Sequence, residues 1–157
     1  MIEVGQKLPQ AELSELTADG MVNHEVTALF AGKKVVLFAV PGAFTPTCSA
    51  SHLPSFVVNA DKLAQKGVDI IACVSVNDAF VMKAWGDAQN AETIMMLGDG
   101  DASFTKALGL EMDTGSFGGV RSQRYAMIIE DGIVTTLNVE QPKQFEVSKA
   151  EVILDAL

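Results

Sequence analysis

The amino-acid sequence predicts an α/β fold in which a central mixed sheet is flanked by helices. Two apolar, β-branched runs at residues 35–40 and 68–76 are separated by a segment whose apolar residues recur at helical spacing. This strand–helix–strand order is typical of parallel strands that are buried on both faces. Further along, apolar runs at residues 125–129 and 133–139 flank the turn residues Asp131-Gly132, the pattern of an antiparallel hairpin. The sheet should therefore be mixed, and residues 1–157 are interpreted as one domain.

The first long helix should begin near Pro46, a residue that suits a first helical turn, and end before Gly67. Pro54 lies inside this helix, where its missing N–H predicts a kink. Either Asn77 or Asp78 can cap the next helix. The apolar stripe of that helix is expected at Phe80, Val81, Ala84 and Trp85.

The remaining predicted elements are short. Residues 94–97 form a strand, and residues 102–108 form a helix that Gly109 ends. Ser148 and Glu151 have the spacing of a capping box that opens the last helix. That helix should bury Val152, Ile153, Leu154 and Leu157. The resulting order of strands and helices resembles a thioredoxin-like α/β fold with insertions.

Composition and charge exclude several classes of partner. The formal net charge is −9 and no Lys/Arg-rich stripe is present, so neither nucleic acid nor an anionic membrane is expected to bind. No run of about 18 apolar residues is present to span a bilayer. The first residues lack the basic and apolar regions of a signal peptide, which favours a cytoplasmic protein, with a mature organellar form as the alternative. Two cysteines do not make a disulfide scaffold, so each is expected to be catalytic or buried.

Residues 41–48, Pro-Gly-Ala-Phe-Thr-Pro-Thr-Cys, carry the most specific chemical signal in the sequence. They follow a predicted strand and open a helix, so Cys48 is expected in the first helical turn at the carboxyl end of that strand. Unpaired backbone N–H groups and the helix dipole stabilise an anion at this position. Cys48 should therefore form the thiolate readily, and the thiolate is the nucleophile.

The same segment carries a resemblance to a known family. Thioredoxin would have Cys-x-x-Cys at this helix start, whereas this sequence has Thr45-Pro46-Thr47-Cys48. The segment resembles the active-site motif of the peroxiredoxins, and more narrowly that of the type-5 subgroup, which includes the plant type II enzymes. Residues 75–81, 84–85, 124–127 and 131–134 also match, so the resemblance covers essentially the whole chain.

The resemblance implies an enzyme that reduces hydroperoxides. Cys48 would attack the terminal peroxide oxygen and become a sulfenic acid. Thr45 matches the active-site threonine of the family, Pro41 the proline that shields the thiolate, and Arg124 the arginine beside the sulfur. A peroxide is uncharged, so the rate should depend on donors placed where charge develops on the leaving oxygen. No metal or organic cofactor is needed.

Three further residues leave alternatives open. Arg121 competes with Arg124, because both flank the predicted hairpin and only the family resemblance favours Arg124. His52 follows Cys48 by four residues and could be a general base, although a packing role on the helix face is favoured. The glycine-rich segment 115–119 is either a flexible connector or a loop that places Phe117 beside the peroxide. The predicted substrate pocket consists of Gly42, Phe44, Thr47 and Phe117.

Cys73 lies in the middle of a predicted strand, where a buried, unreactive thiol is the favoured interpretation. The alternative is a resolving cysteine that forms a disulfide with Cys48. Cys73 should lie about 10 Å below the end of its strand, given about 3.3 Å per residue. This gap exceeds the roughly 7 Å between Cα atoms that a disulfide can bridge.

The expected reductant follows from the resemblance. The resolving cysteine found near the C-terminus of animal type-5 enzymes is absent, because residues 145–148 contain none. This pattern resembles plant type II and bacterial members and favours recycling by glutathione with glutaredoxin. The alternatives are a thioredoxin-recycled enzyme that uses a Cys48–Cys73 disulfide, and a redox sensor that relays oxidation to a partner. A homodimer is also expected, since family members pair near the helix that carries Phe80 and Trp85.

Overall fold

The structure, a computed structural model, describes all 157 residues. The strands are β1 Glu12–Thr17, β2 Gly20–Glu25, β3 Lys34–Ala39, β4 Ile70–Ser75, β5 Met95–Gly98, β6 Glu111–Asp113, β7 Val120–Ser122, β8 Tyr125–Glu130 and β9 Ile133–Val139. Seven of them form a central mixed sheet with the order β2-β1-β5-β4-β3-β8-β9. The helices are α1 Val26–Leu29, α2 Leu53–Val58, α3 Ala60–Gln65, α4 Ala79–Ala88, α5 Ser103–Leu108 and α6 Ala150–Ala156.

The sheet confirms the predicted mixture of parallel and antiparallel strands. β3 pairs in parallel with β4, and β4 pairs in parallel with β5, as the apolar runs indicated. β8 and β9 form the predicted antiparallel hairpin, and β8 also pairs antiparallel with β3. The mixed α/β sheet flanked by helices and the thioredoxin-like fold are therefore confirmed.

Helices on the two faces of the sheet cover two hydrophobic cores. Successive residues of β3 alternate between them: Val36 and Phe38 belong to one core, and Val35 and Leu37 to the other. This alternation follows from the two-residue period of a strand. The first core also contains Cys48 and residues of α2, α4 and α6. No helix is long and apolar enough to cross a membrane.

The helix after β3 differs from the expected single helix with one kink. It begins at Pro46, as predicted, but residues Cys48–His52 form a π-helical turn in which the Leu53 N–H donates to the Cys48 carbonyl. Pro54 then lies in the first turn of α2, where its missing N–H is tolerated. A second interruption at Asn59 separates α2 from α3. The proline therefore begins a new helical segment after a widened turn.

Two predicted helix features are wrong in detail. Asp78 caps α4 by accepting the Val81 N–H at 2.9 Å, but Phe80 and Ala84 on the predicted stripe are exposed. The buried face of α4 instead consists of Ala79, Met82, Trp85 and Gly86.

The capping box at the start of α6 is absent. Lys149 is the N-cap, with no side-chain bond, because Ser148 and Glu151 bind Glu140 and Asn59 respectively. Of the four apolar residues that α6 was expected to bury, only Ile153 is fully buried.

Two hairpins were not predicted. β1 and β2 form a hairpin at the edge of the main sheet. Residues 115–119, interpreted as a flexible connector or a pocket loop, form the turn of the β6–β7 hairpin. The Thr114 hydroxyl and backbone N–H both donate to the Gly119 carbonyl, which closes that turn.

Candidate active site

Cys48 lies in the first turn of the helix that begins at Pro46, at the carboxyl end of β3. The Ser49 N–H donates to the Thr45 carbonyl at 2.9 Å, which makes Thr45 the residue that opens the helix. Cys48 is thus at the position predicted from the motif, where backbone N–H groups lack intrahelical acceptors. The side chain is 0% exposed, so the sulfur is shielded from bulk water.

The Arg124 guanidinium contacts the Cys48 sulfur directly. Arg124 Nη2 donates to Cys48 Sγ at 3.1 Å. Arg124 immediately precedes β8, and β8 pairs with β3, so the sheet brings the arginine to the strand end that carries the cysteine. A cation at this distance stabilises the thiolate.

His52 is part of the same cluster. Its ring Nδ1 lies 2.8 Å from Arg124 Nη1, and its Nε2 lies 3.0 Å from the Ser148 carbonyl oxygen. Burial first, and then the neighbouring Arg124 charge, lower the pKa of His52 from 6.5 to about 3. A neutral ring with so low a pKa is a poor general base at neutral pH. The structure places His52 between the Arg124 guanidinium and the Ser148 carbonyl. The ring therefore makes two polar contacts in addition to the packing role that the sequence favours.

Two side chains near the cysteine loop bind backbone carbonyl groups. The Thr45 hydroxyl donates to the Gly42 carbonyl at 2.7 Å, which leaves lone pairs of its oxygen available as acceptors. Arg121 Nη1 donates to the Pro41 carbonyl at 3.0 Å. Arg121 is therefore a loop-holding residue in this structure, whereas Arg124 is the arginine at the sulfur.

A cavity of about 590 Å³ opens beside the cysteine. Its lining includes three residues from the predicted site, Pro41, Thr47 and Arg124. The other lining residues are Met112, Gln123, Glu140, Gln141, Pro142, Lys143 and Gln144. A more open depression of about 680 Å³ near the amino terminus and α5 contains none of these site residues.

The remaining predicted pocket residues lie outside this lining. Gly42 contributes the carbonyl that Thr45 binds. Phe44 has a positive φ of 64° and is 56% exposed, and Phe117 is 85% exposed. Their roles in the pocket stay predictions.

Cys73 lies at the centre of β4, opposite Phe38 of β3, and is fully buried. Burial, and next the nearby Cys48, raise the pKa of the Cys73 thiol well above its usual value. Both cysteines are free thiols in one hydrophobic core. This environment favours an unreactive Cys73, in line with the favoured interpretation.

Sequence reasoning missed Ser148 and Glu140 as neighbours of the site. Ser148 was assigned to a capping box, but its carbonyl binds His52. The one signal for His52 in the sequence is its position four residues after Cys48. No local pattern indicates the contact of His52 with Ser148, which lies 96 positions away.

The chain is similar to known proteins over nearly its whole length. The Redoxin family matches residues 3–154. The chain is 53% identical to the protein named peroxiredoxin-2E-2, chloroplastic, from Oryza sativa subsp. japonica, and the match covers 99% of this chain and 72% of that protein. The crystal structure of reduced Prx3 from Vibrio vulnificus in complex with H₂O₂ superposes with a TM-score of 0.98 at 75% identity, covering 99% of each chain. Peroxiredoxin 5 from Alvinella pompejana superposes with a TM-score of 0.86 at 35% identity, covering 99% of this chain and 97% of that one.

The chain therefore belongs to the Redoxin family, the class of protein that the fold and the cysteine site define. Within that family it is a peroxiredoxin of a type-5-like subgroup that includes plant type II relatives. Its activity is that of a thiol-dependent peroxidase.

Proposed function

We propose that this peroxiredoxin reduces hydrogen peroxide and small organic hydroperoxides at Cys48 and is recycled by glutathione with glutaredoxin. The observation that carries the proposal is the 3.1 Å contact between Arg124 Nη2 and Cys48 Sγ. The cysteine is otherwise enclosed, and the cavity beside it is lined by Pro41, Thr47 and Arg124. A small uncharged substrate suits such a site.

In the proposed peroxide step, the Cys48 thiolate attacks the terminal peroxide oxygen and the O–O bond breaks. The sulfur loses two electrons and becomes a sulfenic acid. The transferred oxygen keeps its hydrogen in the sulfenic acid. The leaving oxygen takes the electron pair of the broken O–O bond, gains a proton from solvent and departs as water or an alcohol. Arg124 is suited to stabilise the charge that develops on both oxygens, and the Thr45 oxygen can accept a hydrogen bond from the bound peroxide.

The choice of an external thiol rests on the surroundings of Cys73. A resolving cysteine must attack as a thiolate, and burial disfavours the thiolate of Cys73. Glutathione would instead condense with the Cys48 sulfenic acid, forming a mixed disulfide and releasing water. A glutaredoxin thiolate would then attack that disulfide and regenerate the Cys48 thiol.

Steady-state peroxide consumption tests the reductant. We expect sustained turnover with glutathione and glutaredoxin, and a much lower rate with thioredoxin and its reductase. Efficient thioredoxin turnover that is lost in Cys73→Ala would favour the Cys48–Cys73 disulfide. Consumption of a single equivalent with either system would favour a redox sensor.

We also propose a homodimer that buries exposed aromatic residues near the site. Phe80 is 63% exposed on α4, Phe44 is 56% exposed and Phe117 is 85% exposed. The Ala43 N–H donates to Asn77 Oδ1 just before α4, so the Phe44 turn lies next to that helix. Exposed large apolar side chains on adjoining segments are typical of an interface.

Sedimentation analysis tests the dimer. We expect Phe80→Asp to dissociate the wild-type dimer, because the charge would be buried at the interface. The matched control is Val58→Asp on α2, an apolar residue that is 79% exposed. A monomeric wild type, or a Phe80→Asp variant that remains dimeric, would refute the proposed interface.

A further inference from the structure

One carboxylate holds the segment between β9 and α6, residues 141–149, which we call the strap. Glu140 Oε2 accepts the backbone N–H groups of Glu146, Val147 and Ser148 at 2.8, 2.9 and 2.8 Å. It also accepts the Ser148 hydroxyl at 2.7 Å. Burial by itself raises the pKa of Glu140, but these hydrogen bonds together lower it, so the carboxylate is ionised at neutral pH. Four donors on one oxygen fix the strap backbone at Ser148.

The strap in turn fixes the ring of His52. The Ser148 carbonyl lies 3.0 Å from His52 Nε2, and the Phe145 ring lies against the imidazole with centroids 5.0 Å apart. Because arginine can only donate, Nδ1 must accept the hydrogen bond from Arg124. The proton of the neutral ring is therefore on Nε2, where it is donated to Ser148. Arg124 and the Ser148 carbonyl thus set the tautomer of His52 together, and both contacts fix the orientation of its ring.

A neutral histidine orients Arg124 without neutralising it. The three ion pairs in the structure are His24–Glu15, Lys34–Glu130 and Lys83–Asp87, so no carboxylate lies within ion-pair distance of the Arg124 guanidinium. The full positive charge remains available to the Cys48 sulfur. A carboxylate in place of His52 would hold the guanidinium equally well but would compete with the thiolate for its charge.

Glu140 also holds the other end of Arg124. The Glu140 N–H donates to the Arg124 carbonyl at 2.9 Å, at the point where β8 and β9 begin to pair. One residue therefore anchors the Arg124 backbone directly and its guanidinium through Ser148 and His52. These bonds form a closed ring, from which Arg124 Nη2 donates to Cys48 Sγ.

We propose that Glu140 is a positioning residue for the peroxide reaction, which acts by locking the strap so that Ser148 and His52 direct the Arg124 guanidinium at the Cys48 sulfur. The proposal rests on the peroxidase function proposed above and adds a residue that does not touch the sulfur. The negative charge of Glu140 binds the strap amides, and Ser148 and His52 lie between it and the arginine guanidinium.

Glu140→Gln tests the proposal, because an amide oxygen is a weaker acceptor of the same size. We expect the second-order rate of Cys48 oxidation by hydrogen peroxide to fall about ten- to hundredfold, the loss typical of a misplaced catalytic group. The matched control is Glu146→Gln, which removes the same charge from an exposed residue of the strap and should leave this rate unchanged.

A double-mutant cycle separates positioning from a loss of folding. In an Arg124→Met background, Glu140→Gln should slow oxidation less than about twofold, because the group that it positions is gone. An equal loss in both backgrounds, or a wild-type rate in Glu140→Gln, would overturn the proposal. A wild-type enzyme that does not consume peroxide would refute the peroxidase function instead, whatever Glu140 does.

Discussion

At the scale of single residues, the Cys48 sulfur accepts a hydrogen bond from one cation, the Arg124 guanidinium. Arg124 donates to the sulfur, and His52, which donates to Ser148 rather than to sulfur, remains neutral. The motif predicted the cysteine, and the family resemblance predicted Arg124 over Arg121. The residue pattern alone cannot distinguish the two arginines, because they are only three positions apart. The pairing of β8 with β3 determines which of them lies beside Cys48.

A pair of arginine variants compares these two residues. Arg124→Met should slow the oxidation of Cys48 by about 10²-fold, since a transition-state donor is lost. Arg121→Met should do much less, because Arg121 binds the Pro41 carbonyl rather than the sulfur. Stopped-flow oxidation by hydrogen peroxide measures both effects. A larger effect in Arg121→Met would reverse the assignment.

At the scale of elements, the apolar strands of the sheet and the Asp78 cap of α4 were predictable from local sequence. The helix that carries Cys48 was predicted only in part. Its start at Pro46 follows from the sequence, but a π-helical turn depends on hydrogen bonds that no residue pattern specifies. The capping box failed for a related reason. Glu140 binds the Ser148 hydroxyl and Asn59 binds Glu151, and both partners come from distant segments.

The centre of β4 gives a prediction for Cys73. Cys73→Ala should leave turnover with glutathione and glutaredoxin within about twofold of wild type, because the buried thiol takes no part in the proposed cycle. Alanine avoids the unpaired hydroxyl that serine would bury. Peroxide consumption under saturating glutathione measures the effect. Loss of most of the activity in a variant that folds normally would make Cys73 a resolving residue.

At the scale of the whole molecule, the two cores and the mixed sheet follow from apolar patterning, and the site lies where β3, β8 and the strap converge. The sequence predicted the sheet because nearly continuous apolar strands are a strong signal. It did not predict the β1–β2 hairpin, half of whose second strand is exposed. The strap connects the last helix to the site, so the site depends on the complete fold.

The buried His52 links stability to pH. Its folded pKa of about 3 lies below the unfolded value of about 6.5, so the unfolded chain binds a proton that the folded chain does not. The stabilising contribution is therefore fully present above about pH 6.5 and decreases as pH falls. Between about pH 6 and 5 the unfolding free energy should decrease by about 1 kcal/mol more in wild type than in His52→Gln. Urea unfolding at both pH values measures this difference, and equal decreases in the two proteins would contradict a neutral His52.

The most direct test of the central claim is to identify which atom peroxide oxidises first. The wild-type protein is treated with one equivalent of hydrogen peroxide in the presence of a sulfenic-acid trap, and its peptides are analysed by mass spectrometry. We predict that the trap is found on Cys48 alone, with the same result in Cys73→Ala and a strongly reduced yield in Arg124→Met. Consumption of the peroxide with Cys48 unmodified, or trapping at another residue, would contradict the account.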